Sequence, residues 1–446
     1  MQMIALGFFG VILLGGLLLW LPVCNQKPIA FIDALFTSVS AVCVTGLVTI
    51  TPATQFTVLG KIILMLLIQT GGLGVMACAI SFFIVIRKKI TVKERVMIQQ
   101  AYSLDTLSGM VQFIIRILKC TFLAEGVGAL FYMTQFVPRY GLLKGICYGI
   151  FHAVSAFCNA GIDILGDNSF CDFTNSPVIN ITTMGLIVIS GLGFMVWHDM
   201  HESLKKVLKK DIPRERAFTR LSLSTKVVLT MTVSLILFGA VCIYLMEYNN
   251  PETLGGLNWW EKIMAAFFQS VTTRTAGFAS ISQVGLKQGT KLLCCVLMFI
   301  GGSPGGTAGG VKTTTIALML LICLAVIRGK KDVECYGRRI SNGNMRTGIV
   351  IVIVTFLFLL FGVTLITILE PNREFIDILY EATSAMGTVG LTADLTPSLT
   401  RGSQVVLMAL MYIGRIGPIT MTLVFAGKAG ASQQLRDLPT KSISVG

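Results

Sequence analysis

Four short loops hold the residues whose types and spacing could do chemistry: Cys43, Val44, Thr45 and Gly46; Cys158, Asn159, Ala160 and Gly161; Arg274, Thr275, Ala276 and Gly277; Gly387, Thr388, Val389 and Gly390. Each ends on a glycine followed by an apolar residue, and the set recurs at a near-constant interval of about 115 residues. Ten residues before each glycine stands an aromatic (Phe36, Phe151, Phe267, Tyr380), and six or seven before it a serine (Ser40, Ser155, Ser270, Ser384). The chemistry this pattern offers is that of the backbone. Rings of carbonyl oxygens from four loops can replace the water around a monovalent cation, and glycine tolerates the angles that aim them at one axis. Single glycines of this kind usually relieve a turn or let helices pack closely; four in equivalent positions point to a cation filter.

Such loops need elements to hold them. Long apolar runs occur at 4–21, 56–86, 110–131, 178–196, 227–245, 292–327, 349–368 and 405–425, each near or above the roughly 20 residues that cross a bilayer. Within each successive pair lies a shorter apolar stretch, at 29–42, 147–157, 260–272 and 375–386. At about 10 to 14 residues these are too short to cross and read as re-entrant pore helices, each aiming its negative C-terminal end at the centre. The expected fold is an all-α membrane protein of four tandem repeats, 1–90, 91–212, 213–335 and 336–446, each a span, a pore helix, a loop and a span around one pore. Repeats of one orientation surround an axis along the membrane normal.

Composition agrees with that architecture. Of 446 residues, 54% are hydrophobic and only 13% charged, with a mean hydropathy of +0.78. That leaves too little polar surface for a soluble enzyme, and the net charge of +14 is not gathered into a basic domain that could bind nucleic acid. The basic residues punctuate the apolar runs instead: Arg87 to Arg95, Lys205 to Lys226, Arg328 to Arg346, and Lys428, Arg436 and Lys441. By the positive-inside rule these segments, and both termini, are expected in the cytoplasm of a plasma-membrane protein. Their charge orients the chain; a docking face for a cytoplasmic partner is a second use. The 12 cysteines are scattered, most within apolar runs, and read as small apolar fillers. The run at 4–21 lacks a basic lead and a small-residue cleavage site, so it reads as a retained first helix.

The sixth run is broken by Gly301, Gly302, Ser303, Pro304, Gly305, Gly306, Thr307, Ala308, Gly309, Gly310, Val311 and Lys312, a stretch that cannot hold a helix. Non-helical backbone at membrane depth must line a cavity or be buried in protein, which puts the loop beneath the filter. The phosphate-loop spacing is absent. Arg415 is an isolated charge in the last span, a functional position by default, expected to reach the loop carbonyls and hold the pore closed. Arg274 is expected behind the filter, paired with a carboxylate, Glu381 foremost. Asp163 reads as an outer-mouth charge that concentrates cations or as a solvated loop residue. His198, Asp199 and His201 are too few for a metal site.

The stretches SAVCVTGLV, FHAVSAFCNAG, SVTTRTAGF, FGVTLITILE, SAMGTVGLT and MYIGRIGPIT resemble the superfamily of Trk, Ktr and HKT potassium transporters, and among them the membrane subunit of bacterial Ktr systems. The resemblance spans essentially the whole chain. It implies potassium uptake through a four-loop filter, with glycine at all four positions as in potassium-selective members, and an intramembrane gating loop at 301–312. It implies K+ as the carried ion, admits Na+ as an activator, and implies no organic cofactor in this chain. Implied partners are a second copy in a homodimer, membrane lipid, and a cytosolic octameric RCK-type ring of the KtrA/KtrC type that binds ATP and ADP, since fewer residues follow the last run than any fold needs. A sodium-coupled potassium symporter is the competing class; clustered catalytic groups, which an enzyme would need, are not found in the spans.

Overall fold

The computed structural model describes residues 2–74, 78, 110–210 and 213–417. The expected basic segment from Arg87 to Arg95, the C-terminal basic residues and the ends of the second and eighth apolar runs lie outside the described residues. The longer helices, in chain order, are α1 Gln2–Trp20, α2 Phe31–Cys43, α3 Val58–Leu73, α4 Met110–Tyr140, α5 Leu142–Cys158, α6 Pro177–Gly191, α7 Phe194–Leu208, α8 Leu223–Glu247, α9 Trp259–Thr272, α10 Gln288–Phe299, α11 Thr313–Ile327, α12 Asn342–Leu369, α13 Phe375–Gly387 and α14 Arg401–Ile416. Glu334–Cys335 pairs with Arg338–Arg339 in a short hairpin, an addition to the all-helical plan.

Of these, α8 and α12 are each long and apolar enough to cross a membrane. The helices α6 and α7 pass the same test as a pair, but bend by 94° at Leu192 and Gly193. Apolar run six appears as two helices, α10 and α11, on either side of the glycine-rich break, as the loss of helix propensity there requires.

Local chemistry starts and stops the helices. The Oγ1 of Thr57 and of Thr400 and the Oγ of Ser222 and of Ser341 accept from backbone N–H groups in the first turns of α3, α14, α8 and α12, which satisfies donors that have no intrahelical partner. Acids do the same from a distance. At the end of α8, the Glu247 carboxylate accepts from Lys287 N at 3.0 Å and from the Thr290 hydroxyl, so it caps α10. At the end of α12, Glu370 accepts from Thr400 N at 2.7 Å and Ser403 Oγ at 2.9 Å and caps α14. Both place negative charge at a helix N-terminus, where the dipole favours it.

Ion pairs then link one helix group to the next. Asp33, on α2, receives a two-pronged contact from Arg401 at the start of α14, Nη1 to Oδ1 at 2.6 Å and Nη2 to Oδ2 at 3.0 Å. Asp377, at the same offset from Gly390 as Asp33 is from Gly46, receives Lys291 Nζ from α10 at 2.7 Å. The first pair joins the last described helix to the beginning of the chain.

Lys291→Met is expected to cost roughly 2 kcal/mol, somewhat less than for a fully buried pair, because Asp377 is 25% exposed. Arg401→Gln is expected to cost under about 1 kcal/mol, since Arg401 is 54% exposed and Asp33 keeps the Thr49 hydroxyl at 2.9 Å. Thermal unfolding in detergent checks this order, and a larger loss in Arg401→Gln refutes it.

Candidate functional site: a ring of four glycine loops

The helices α2, α5, α9 and α13 end within five residues of Gly46, Gly161, Gly277 and Gly390, and the four loops converge. A Cβ added to Gly46 would lie 2.5 Å from the Ala160 carbonyl oxygen, and one added to Gly161 would lie 2.5 Å from that of Ala276. On Gly277 it would overlap the Val389 oxygen, and on Gly390 the Thr45 oxygen. Each loop therefore abuts the next in chain order and the fourth closes on the first. A side chain at any of these positions would force the neighbouring loop's carbonyl to shift.

Backbone geometry repeats around the ring. All four glycines have positive φ, +104°, +62°, +84° and +94° in chain order. So does the residue two before each: Val44 at 56°, Asn159 at 61°, Thr275 at 72° and Thr388 at 51°. Left-handed residues alternating with others turn successive carbonyls toward one side of the chain, which an ordinary strand cannot do. For Val44, Thr275 and Thr388 the conformation is strained, at about 1–3 kcal/mol each, and persists only where the surroundings enforce it. The hydroxyls of Thr45, Thr275 and Thr388 are buried without a hydrogen-bond partner, so they are oxygen atoms free to serve a ligand.

The enforcing contacts come from hydroxyls on the short helices. Ser40 Oγ accepts from Gly46 N at 2.9 Å and Ser384 Oγ from Gly390 N at 3.0 Å; Ser155 Oγ donates to Ile162 O at 2.7 Å. In the third loop the expected serine does not take part, because Ser270 Oγ donates to Ile236 O on α8. Its place is taken by Thr272, whose Oγ1 donates to Phe278 O at 2.6 Å. The aromatic shifts with it: Phe268 is fully buried and the neighbouring Phe267 is not. In the third repeat the bracing hydroxyl and the buried aromatic thus each stand one residue nearer the glycine than in the others, a register change that counting offsets from the glycine conceals.

The segment 301–312 lies against the ring. The Thr307 hydroxyl accepts from Asn159 Nδ2 at 3.2 Å, and a Cβ on Gly309 would collide with Thr388 Oγ1. Backbone bonds anchor the rest: Ser303 N to Gly191 O at 3.0 Å, Phe194 N to Gly305 O at 3.0 Å and Gly301 N to Val311 O at 2.9 Å. Lys312 Nζ donates back to Ala308 O at 2.6 Å. Arg415 donates to Thr307 O and to Gly71 O and Gly72 O at the end of α3. One guanidinium from α14 therefore ties the loop to the first helix group through backbone carbonyls.

The expected pairing of Arg274 with Glu381 is overturned. The Glu381 carboxylate accepts from Thr396 Oγ1 at 2.7 Å, Ala393 N at 3.1 Å and Leu395 N at 3.3 Å, and from the Thr392 hydroxyl. It is fully committed to pinning the chain after Gly390. Arg274 turns away among Ile187, Val188, Gly191, Val271 and Gly302, and its Nε has no hydrogen-bond partner. His152, at the same offset from Gly161 as Glu381 is from Gly390, accepts from Ile164 N at 3.5 Å and does for that loop part of what Glu381 does for the fourth; the sequence reading gave it no part. Asp163 is half-buried and accepts from Leu165 N at 3.2 Å and Gly166 N at 3.5 Å. Burial pushes its carboxyl up to about 6 against the pull of those N–H groups, with Asp167 adding slightly. His198, Asp199 and His201 do not converge: His198 Nδ1 meets Arg116 at 3.1 Å and Asp199 accepts from Ser222 N at 2.9 Å. No group of three metal-binding side chains occurs among the described residues.

A closed ring of backbone loops in a bundle of apolar helices is the arrangement of a cation transport protein, and the comparisons agree. Residues 7–434 match the family described as cation transport protein, TrkH, and the chain belongs to that family. It is 39% identical to the potassium/sodium uptake protein NtpJ of Enterococcus hirae over 452 residues, covering 100% of this chain and 97% of the relative. It is 37% identical to the Ktr system potassium uptake protein B of Bacillus subtilis, covering 95% and 92%. The fold matches the crystal structure of the potassium transporter TrkH from Vibrio parahaemolyticus with a TM-score of 0.74 and 15% identity, over 94% of this chain and 83% of that one.

If Thr272 rather than Ser270 braces the third loop, Thr272→Val is expected to lower discrimination between potassium and sodium in liposome flux, and Ser270→Ala to leave it unchanged. The reverse result would restore the serine.

Proposed function

We propose that the protein carries potassium into the cell through the ring of loops at Gly46, Gly161, Gly277 and Gly390, which acts as a selectivity filter of backbone carbonyls. The observation that carries this reading is the closure of the four loops on one another, with alternating left-handed residues. A potassium ion that sheds its water needs several oxygen ligands at once, and four equivalent strands offer them in layers. In this reading the chain is four repeats, 1–90, 91–212, 213–335 and 336–446, each a span, a pore helix, a loop and a span. The C-terminal ends of α2, α5, α9 and α13 add negative potential at the axis. Inward flow follows the membrane potential, at roughly 2.3 kcal/mol per charge per 100 mV.

The segment 301–312 is the gate in this account. It occupies the space under Thr388 and Asn159, so an ion leaving the filter must wait for it to move, and Arg415 holds it in place. Control comes from outside the chain: a cytosolic ring of RCK-type subunits binding ATP or ADP would bear on the basic segments, and two copies would pair, each with its own pore, in the plasma membrane with both termini inside. A sodium-coupled symporter is the second reading, favoured by the uptake of both ions in the name of the Enterococcus relative. A pore gives flux that rises with voltage and has no fixed stoichiometry; a symporter gives a reversal potential set by two gradients.

Purified protein in liposomes tests the reading. Potassium and rubidium are expected to pass and sodium to be excluded, with Gly46→Ser admitting sodium; equal potassium and sodium flux in the unaltered chain would end the filter proposal. Arg415→Ala is expected to raise the resting leak. Asp163 should lose its charge as external pH falls through about 6, so influx from dilute potassium should decline between pH 7 and 5, and Asp163→Asn should be low and flat across that range. A decline that persists in the variant assigns the pH dependence elsewhere.

A further inference from the structure

On the outer flank of the second helix group a long apolar groove of about 880 Å³ opens between α4 and α6. Its walls are Cys120, Leu123, Val127 and Phe131 on one side and Ile181 and Ile189 on the other. Helices that pack for stability alone close such a gap, so its width points to an occupant. Along α4 the groove runs from residue 120 to residue 131, about 17 Å at 1.5 Å per residue. That is close to half of the roughly 30 Å hydrocarbon core, the depth of a single leaflet.

One end of the groove is marked chemically. Its floor there is Trp197 and Met200 of α7, the helix that leaves α6 at 94°. With α6 along the membrane normal, α7 lies in the membrane plane. It shows the pattern of an interfacial helix, with Met195, Met200, Leu204 and Leu208 exposed and Lys205 and Lys206 in its last turn. On the face of α4 that lines the groove, one turn beyond Cys120, stands the exposed Arg116. It is held over the groove mouth by His198 at 3.1 Å, with no carboxylate on its guanidinium among the described residues. Lys119 and His201 are exposed at the same level. Of the nearby acids, Asp199 is engaged by Ser222 N and Glu202 is half-buried.

We propose that the groove between α4 and α6 binds an anionic phospholipid of the cytoplasmic leaflet, one acyl chain lying along Val127 and Ile181 and the phosphate on Arg116. The inference rests on the membrane orientation given above, not on the filter. A dry apolar channel with a basic group at the depth of the headgroups fits this ligand and no water-soluble one. Filling the groove also supports the bend at Leu192 and Gly193, which leads directly to Phe194, whose N–H holds Gly305 of the segment 301–312.

Native mass spectrometry of the full chain, transferred from detergent into micelles carrying phosphatidylglycerol or phosphatidylcholine, tests the proposal. The unaltered chain is expected to retain phosphatidylglycerol in preference. Val127→Trp, which fills the groove, should lose the adduct, and Arg116→Gln should keep a phospholipid but lose about fivefold in the preference, the effect of one basic group at an anionic surface. Should Val127→Trp fail to fold, the exposed Cys120 gives a second readout in the unaltered chain, its reaction with a maleimide being slowed by phosphatidylglycerol. Equal adducts in the unaltered chain and Val127→Trp, an unprotected Cys120, or a cross-link from Cys120 to a second copy would each overturn it. Rubidium flux is read in parallel: flux retained without a lipid adduct sinks the lipid site alone, and a lipid adduct without flux sinks the transport reading alone.

Discussion

Left-handed backbone at eight positions around one axis is the constraint on which the rest of this structure depends. Three of the eight are β-branched residues, for which the conformation costs about 1–3 kcal/mol each, and the loops bring carbonyl oxygens close together where they repel. Part is offset where each short helix ends, by bonds from the N–H groups of Thr45, Ala160, Ala276 and Val389 to the carbonyls of Ser40, Ser155, Thr272 and Ser384. Further compensation comes from the helices behind them: hydroxyls of Ser40, Ser155, Thr272 and Ser384 bonded to the loop backbone, and the buried carboxylate of Glu381 gathering four donors after Gly390. Two of those helices, α2 and α13, are held in turn by Asp33 with Arg401 and Asp377 with Lys291. Strain at the centre is thus met by polar bonds in a second layer, where low dielectric strengthens satisfied bonds and penalises missing ones.

The four loops are alike in geometry without being alike in support. The first and fourth use serine to hold the glycine N–H; the second and third hold the carbonyl one residue later. Beneath them the segment 301–312 is fastened to the second and fourth loops through Thr307 with Asn159 and Gly309 against Thr388. Arg415 connects that segment to α3. A segment attached on several sides by single hydrogen bonds, with glycine at half of its positions, has few apolar contacts to lose when it shifts, which is what supports the proposal that it is a gate.

Much of this was legible in the sequence because periodicity survives in a linear string. The glycine spacing located all four loops and the glycine-rich break located the segment between α10 and α11; run length separated the helices less well, since α5, expected as a short stretch at 147–157, is longer than α3 or α6. What failed was inference about partners. Arg274 and Glu381 are opposite charges near the same ring, yet Glu381 met four donors of its own loop and Arg274 turned to the other side of the wall. Phe267 matched the aromatic offset of the other repeats and Ser270 fell one residue off the serine offset, but in the third repeat the brace and the buried aromatic stand one residue nearer the glycine. On a helix one residue is 100° of rotation, enough to exchange a wall position for a core position. Asp33 and Asp377 share one offset from Gly46 and Gly390, a signal in the repeat that went unused, whereas Glu247 carried none that would have separated it from an ordinary loop-end acid.

By itself the sequence determined what backbone symmetry and chain chemistry determine: a helical protein rich in apolar runs, four equivalent glycine loops, a break that no helix can bridge, and one arginine in an apolar helix. Only the tertiary structure decided which loop abuts which, which hydroxyl braces each of them, that Arg415 reaches the carbonyls of Thr307, Gly71 and Gly72, and that α6 turns through 94° into α7. The reason is that residue types and spacings are local quantities, set by steric and hydrophobic preference along the chain. A hydrogen-bond partner hundreds of residues away is chosen by competition among all donors and acceptors that packing brings within 3 Å or so of each other, and that competition takes place only in the folded chain.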